Sequence, residues 1–86
     1  MNKLLDIIHV PKDVTMGLPL LRMTGTGELC IENYRGILEY TDTIIRIQTK
    51  SGQIQVTGKC LQITNYNSDE MKIIGSISML TFGRGV

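Results

Sequence analysis

"IENYRGILEYTDTIIRIQTKSGQIQVTG", residues 31–58, is rich in β-branched residues and turn signals, yet it contains almost no reactive side chains. Ile45, Ile47 and Thr49 alternate with Arg46 and Gln48, and this period of two places one face of a strand on a core and the other toward water. A short loop ending in glycine leads to a second alternating strand, QIQVTG (53–58), and this arrangement is typical of a β-hairpin. The stretch therefore predicts a fold of antiparallel strands.

The strand pattern extends along most of the chain. Further strands are predicted at LLRMTGT (20–26), GELCIEN (27–33), GILEYTD (36–42), CLQITNY (60–66) and EMKIIGSISMLTF (70–82), with a turn at residues 34–36. Five to seven strands predict an all-β fold, a small antiparallel sandwich or barrel, with a short β-solenoid as the alternative. The predicted core consists of Ile31, Leu38, Ile45, Ile47, Ile54, Val56, Leu61, Ile63, Ile73 and Ile77.

The N-terminal part of the chain reads differently from the strands. MNKLLDIIHV (1–10) predicts a short helix that ends before Pro11, because a residue that precedes proline disfavours the helical conformation. Residues 11–19 read as an extended connector. The expected organisation is a helix and connector over 1–19, a β domain over 20–82, and a frayed tail over 83–86.

Length and charge exclude several classes of protein. Eighty-six residues make one domain, and the nine basic and eight acidic residues leave a net charge of +1. No run of about 18 apolar residues predicts a membrane span, and the N-terminus does not resemble a signal peptide. The expected location is the cytoplasm.

No constellation of side chains predicts catalysis or metal binding. The one histidine, His9, has no nucleophile or carboxylate at a spacing that indicates a triad, and the carboxylates are scattered. Gly25 and Gly27 do not begin a dinucleotide-binding motif, since Cys30 stands where its third glycine would fall. Cys30 and Cys60 form no CxxC pair and are expected to be reduced thiols. We expect no enzymatic activity, no cofactor, no metal and no small-molecule substrate.

Apolar residues outside the predicted core predict an interaction surface. Alternation places Ile44, Ile74 and Leu80 on the solvent face, and the predicted helix adds a second apolar face. The expected surface comprises Leu4, Leu5, Ile7, Ile8, Ile44, Ile74 and Leu80. Exposed apolar area on a small protein usually marks a binding patch, so we expect a homo-oligomer or a complex with a membrane-bound partner. The alternative is that the helix covers the three strand residues within one monomer.

A small β-barrel that binds nucleic acid is the alternative function. Basic residues do occur on the predicted strands and turns, but acidic residues are interleaved with them and few aromatic side chains are available for stacking. This pattern favours a solvated face of mixed charge, so we expect no nucleic-acid partner.

The segments PKDVTMGLP (11–19), IENYRGILEYTDTIIRIQT (31–49), GQIQVTGKCLQI (52–63) and DEMKIIGSI (69–77) together resemble the YabP/YqfC family of sporulation proteins, and within it the YqfC branch. The most distinctive piece is I-E-N-x-x-G-I-x-E-Y. It is formed by Ile31, Glu32, Asn33, Gly36, Ile37, Glu39 and Tyr40.

The resemblance implies a non-catalytic structural or interaction protein of endospore formation. Such a protein would act in the mother cell, in engulfment, coat or cortex assembly, and its location would extend to the periphery of the outer forespore membrane. A membrane-bound sporulation protein encoded nearby is the partner that the resemblance implies.

Overall fold

The fold is seen in a computed structural model that describes residues 17–83. Six strands account for most of them: β1 (Leu20–Thr24), β2 (Glu28–Glu32), β3 (Tyr34–Tyr40), β4 (Ile44–Thr49), β5 (Gly52–Tyr66) and β6 (Glu70–Gly83). They form one sheet in the order β1-β2-β6-β5-β4-β3, and every pairing is antiparallel. The predicted all-β, antiparallel class and the strand number are confirmed. The sheet is open, so the finer prediction of a sandwich or barrel is not confirmed, and a β-solenoid would need parallel pairing.

The two central strands are long enough to belong to two halves of the sheet. Residues 52–57 of β5 pair with β4 on one side, and residues 53–57 pair with residues 79–83 of β6 on the other. Residues 62–66 of β5 pair with the start of β6, whose other side pairs with β2. We call the part with β3 and β4 the β4 half, and the part with β1 and β2 the β2 half.

A bend in β5 and β6 separates the two halves, and two glycines permit it. A Cβ on Gly58 would lie 2.1 Å from the carbonyl oxygen of Ser76, so only glycine allows the strands to approach this closely. Gly75 has a φ of +138°, a conformation that side chains disfavour. The segments QIQVTG and CLQITNY, predicted as separate strands, are therefore one bent strand.

Each outer hairpin is hydrogen-bonded to this bend by its turn. In the β3–β4 turn, the carbonyls of Asp42 and Thr43 accept from the backbone of β5, at Leu61 (2.8 Å) and Gly58 (3.0 Å). In the β1–β2 turn, the carbonyls of Thr26 and Gly27 accept in the same way from the backbone of β6, at Ile77 and Gly75. Both turns therefore satisfy backbone groups that the bend removes from the ladder.

One buried cluster joins the two halves. It comprises Leu29, Ile31, Ile45, Ile47, Ile54, Val56, Leu61, Met71, Ile73 and Ile77. Eight of the ten predicted core residues belong to it, and Ile63 packs against it as a partly buried side chain. Leu29 and Met71 complete the cluster although neither was predicted. Because strands from both halves contribute, the bend brings two apolar faces onto a single core.

Two predicted positions in the strands are wrong, and both errors arise where a strand carries an extra residue. Leu38 was predicted to be buried but is 48% exposed, because a register shift between Ile37 and Glu39 removes it from the alternation. Leu80 was predicted to face solvent but packs against the buried cluster, opposite Val56. An additional residue between the pairs of Ile77 and Met79 reverses the facing of the strand end.

The turn predicted at residues 34–36 lies one residue earlier. Those three residues belong to β3, and the chain changes direction at Asn33, which has a φ of +63°. Asparagine tolerates this left-handed conformation better than most residues. The predicted N-terminal helix, most of the connector and the last three residues of the predicted tail lie outside the described residues.

Candidate interaction surface

Along one side of the fold, β3 lies against the part of β5 that belongs to the β2 half. The Tyr34 hydroxyl donates a hydrogen bond to the carbonyl of Asn67, in the β5–β6 turn, and its ring stacks on that of Tyr66 with centroids 5.6 Å apart. At the other end of β3, the Tyr40 hydroxyl accepts a hydrogen bond of 3.0 Å from the backbone N–H of Ile63. We call this contact of β3 with β5 the sealed side.

The sealed side also perturbs a titratable group. Partial burial raises the pKa of Tyr34 above its ordinary value of 10.0, and the acidic groups of Tyr66 and Asp69 act in the same direction. The hydroxyl therefore keeps its proton, and with it the ability to donate its hydrogen bond, to a higher pH than an ordinary tyrosine does.

The residues of the family motif lie in β2, in β3 and in the turn between these strands. Ile31 is buried, Ile37 packs against the core and Tyr40 closes the sealed side. Asn33 donates from Nδ2 to the carbonyl of Leu18 at 2.8 Å, which holds the segment before β1. Glu39 accepts from Nε of Arg46 at 2.9 Å. Each described contact of the motif stabilises the fold, and none of these residues lines a cleft.

The outer face of the sheet carries charges in neighbouring pairs. Arg46 pairs with Glu39, Lys72 with Glu28 at 3.7 Å, and Arg22 with Glu70 at 3.7 Å. Buried Cys30 lies in register between Arg22 and Lys72. Basic groups held beside carboxylates do not form the continuous positive surface that a nucleic-acid backbone needs.

The end of β6 presents a different surface. Residues 79–83 pair with β5 on one side, and no described strand pairs with their other side. Phe82 lies opposite Ile54, which is 2% exposed, yet Phe82 itself is 66% exposed on that same core face. Met79 points to the outer face and is 55% exposed. We call residues 79–83 the open edge, since both its backbone and its apolar side chains are accessible.

The structure separates the residues of the predicted interaction surface. Ile44 lies on the outer face of the β4 half, opposite Thr57, and Ile74 lies on the outer face of the β2 half, opposite Glu28; both are partly buried. Leu80 lies on the core side. The remaining members, Leu4, Leu5, Ile7 and Ile8, are outside the described residues.

The sequence contained a signal for the open edge that alternation alone missed. From Ile73 to Gly83 the chain has no charged residue, whereas the other outer strands carry Arg22, Arg35 and Glu39. An uncharged strand at a sheet edge is unusual because edges are normally protected by charges. This composition, and not the period, marks Met79 and Phe82.

Side chains that carry chemistry are dispersed in the described part of the chain. Residues 17–83 enclose no cavity and contain no cluster of metal-ligating side chains. Cys30 and Cys60 are both free thiols, one buried and one exposed. Between residues 17 and 83 the structure has no helix with the length and hydropathy that a membrane span requires.

Comparisons with known proteins agree with the motif. The YabP family model matches residues 19–85. The chain is 32% identical over 75 residues to an uncharacterised protein, YqfC, of Bacillus subtilis (strain 168). The aligned region covers 87% of this chain and 81% of that protein. No solved structure matches the chain. The predicted resemblance is confirmed, and the chain belongs to the sporulation-associated YabP family.

Proposed function

We propose that this protein is a non-catalytic structural component of endospore formation. It acts in the mother cell, in engulfment or in coat or cortex assembly, through self-association and through contact with a membrane-bound sporulation protein. Membership in a sporulation-associated family supports the process. The observation that carries the mode of action is the open edge, where apolar side chains and strand backbone are available for a partner.

The distribution of side chains supports a binding role over a catalytic one. General acid–base or nucleophilic chemistry needs several polar groups converging on one substrate position. In residues 17–83 the motif residues hold the fold, the described ion pairs lie on the outer face, and the accessible apolar groups lie at strand edges. These features favour a protein that acts by binding to other subunits in an assembly.

Deletion of the gene tests the process. We expect unchanged vegetative growth and a fall in heat-resistant spores, with altered spore envelopes seen by electron microscopy. Where a related protein masks the effect, the double deletion should show it, and expression of the wild-type gene from another locus should restore spore yield. Normal yield and normal envelopes in the double deletion would contradict the proposed process.

Localisation and capture test the partner. A fluorescent fusion should collect at the outer forespore membrane during sporulation, and the purified protein should retain the cytosolic part of the membrane-bound neighbour. A fusion that stays diffuse throughout sporulation, together with no retention at micromolar concentration, would contradict the membrane partner and leave the deletion result independent of it.

A further inference from the structure

Three stretches of strand at the margins of the sheet have no strand paired on one side, and they differ in how they are protected. β1 carries Arg22, and β3 carries Arg35 and Glu39 together with two register shifts. Charges and bulges are the usual devices that stop an edge strand from pairing with another chain. The open edge has neither, since residues 79–83 carry no charge and pair with β5 in continuous register.

The backbone of the open edge lacks a partner from within the described residues. The last hydrogen bond on that side of β6 runs from the N–H of Ile77 to the carbonyl of Thr26. Beyond it, the alternate N–H and C=O groups of residues 79–83 point away from β5 and bond to no described strand. Such a row of groups is a template for strand addition.

From these observations we propose that the open edge pairs with the open edge of a second copy, antiparallel and across a two-fold axis. This inference rests on the self-association in the proposed function and names the surface that performs it. Charge selects this edge for self-pairing. A two-fold contact sets the residue on the axis against its own copy, so a β1–β1 contact centred on that strand would oppose two copies of Arg22, whereas residues 79–83 bring no like charges together in any register.

The side chains favour one register, with the two-fold axis at Thr81. In that register Leu80 of one copy lies opposite Phe82 of the other, on the face that carries the core. Leu80 already packs against the buried cluster, so the partner's Phe82 would extend that cluster across the axis. Burial against the second copy accounts for the position of Phe82, which is 66% exposed in the monomer although it lies opposite the buried Ile54. A five-residue strand contact is small, so we expect a dissociation constant in the micromolar range.

A charge at the axis tests the surface. Thr81 is exposed and lies opposite Gln55 on the outer face, so Thr81→Lys should leave the monomer folded while it opposes two lysines in the dimer. Thr24→Lys, an equivalent change on exposed β1, is the matched control. Sedimentation of the full chain from about 5 to 200 µM should show a dimer in the wild type and in Thr24→Lys, and at least a tenfold rise in the dissociation constant for Thr81→Lys, with unchanged circular dichroism.

A cysteine trap tests the register. In a Cys30→Ala, Cys60→Ser background, Thr81→Cys should form an interchain disulfide under mild oxidation, because Cα atoms directly opposite in an antiparallel pair lie about 4.5–5.5 Å apart. Thr24→Cys should remain largely uncrosslinked under the same conditions.

Three results would overturn the inference. One is a wild-type chain that stays monomeric at 200 µM. Another is a dimer whose dissociation constant is the same in Thr81→Lys. The third is a dimer abolished by Leu4→Asp with Ile8→Asp but retained in Thr81→Lys, which would assign the contact to the N-terminal segment. None of these depends on the gene-deletion phenotype, so the dimer surface and the sporulation role can fail separately.

Discussion

The sealed side and the open edge are two margins of the same bent sheet, and they are finished in opposite ways. On the sealed side, Tyr34 and Tyr40 of β3 bond to backbone groups of the β5–β6 turn and of β5. At the open edge, Phe82 and Met79 contact little within the described chain. The difference shows how tyrosines can cover a sheet margin with contacts inside one chain, because each side chain supplies both apolar area and a hydrogen bond to the backbone. Phenylalanine and methionine supply area alone and leave the backbone to another partner.

The largest expected effect comes from a change in the shared core, which would unfold the protein and so remove both margins. Ile47 is fully buried between β3 and β5, and Ile47→Lys places a charge in the shared core. An unpaired buried charge costs several kcal/mol, comparable with the roughly 5 kcal/mol of a small domain. We expect no cooperative unfolding transition by circular dichroism.

Leu38→Lys is the control for this change. Leu38 is half exposed where β3 bulges, so its substitution should leave the free energy of unfolding nearly unchanged. A cooperatively folded Ile47→Lys protein would contradict the core assignment.

The next effect concerns the bend that creates the two margins. Gly58→Ala brings a methyl group to 2.1 Å from the Ser76 carbonyl oxygen, so the strands must separate at the bend. We expect a loss of about 3 kcal/mol in urea unfolding. Gly36→Ala has no atom within 4 Å of the added carbon, and it should be neutral or slightly stabilising. Equal stability of the two variants would mean that the strands do not approach closely at Gly58.

A smaller effect should appear on the sealed side alone. Tyr40→Phe removes the acceptor for the Ile63 N–H, and we expect a loss of about 1 kcal/mol in the free energy of unfolding. Tyr66→Phe is the matched control, because the structure shows a stacked ring for Tyr66 but no hydrogen bond from its hydroxyl to a described residue. That change should stay within about 0.5 kcal/mol.

The same pair of variants sharpens the comparison of the two margins. Tyr40→Phe should leave the dissociation constant of the dimer unchanged, whereas Thr81→Lys should change that constant and not the monomer's unfolding. A loss of dimer in Tyr40→Phe at temperatures where it is folded would show that the margins are coupled.

The smallest effect is a pH dependence of the sealed side. The folded-state pKa of Tyr34 is raised, so the folded protein holds its proton more tightly than the unfolded chain does. The resulting stability is present below pH 10, the unfolded value, and is lost as pH rises from there through the folded pKa. Absorbance at 295 nm should show a tyrosine that titrates above pH 10, and Tyr34→Phe should remove that step and flatten the alkaline loss of stability. A Tyr34→Phe protein with the wild-type titration curve would contradict this assignment.

Much of the fold could be predicted from the alternation of apolar and polar residues within single segments. Alternation identified Ile45, Ile47, Ile54 and Val56 as core because β4 and the first part of β5 are regular hairpin strands with no extra residue. The predictions failed at Leu38 and Leu80, where a shift of one residue reverses the face of everything that follows. Such shifts depend on the partner strand, so they are not visible in the period of a single segment.

The interaction surface was harder to predict from the sequence than the core. Alternation assigned Leu80 to it and gave no reason to choose Phe82, whose core-facing position depends on its pairing with Ile54. The absence of charge from Ile73 to Gly83 was visible in the sequence, but its meaning depends on which strand forms a margin.

The sequence by itself determined that this chain is an antiparallel β protein with an aliphatic core, and its motif identified the YabP/YqfC family. Those properties depend on the period of apolar residues and on residue identity, which are local and readable in order. Only the tertiary structure decided that two predicted strands are one bent strand, that tyrosines seal one margin, and that the end of β6 lies open. Each of these depends on contacts between residues far apart in the chain, such as Gly58 with Ser76 and Tyr40 with Ile63, and the bend brings those residues together.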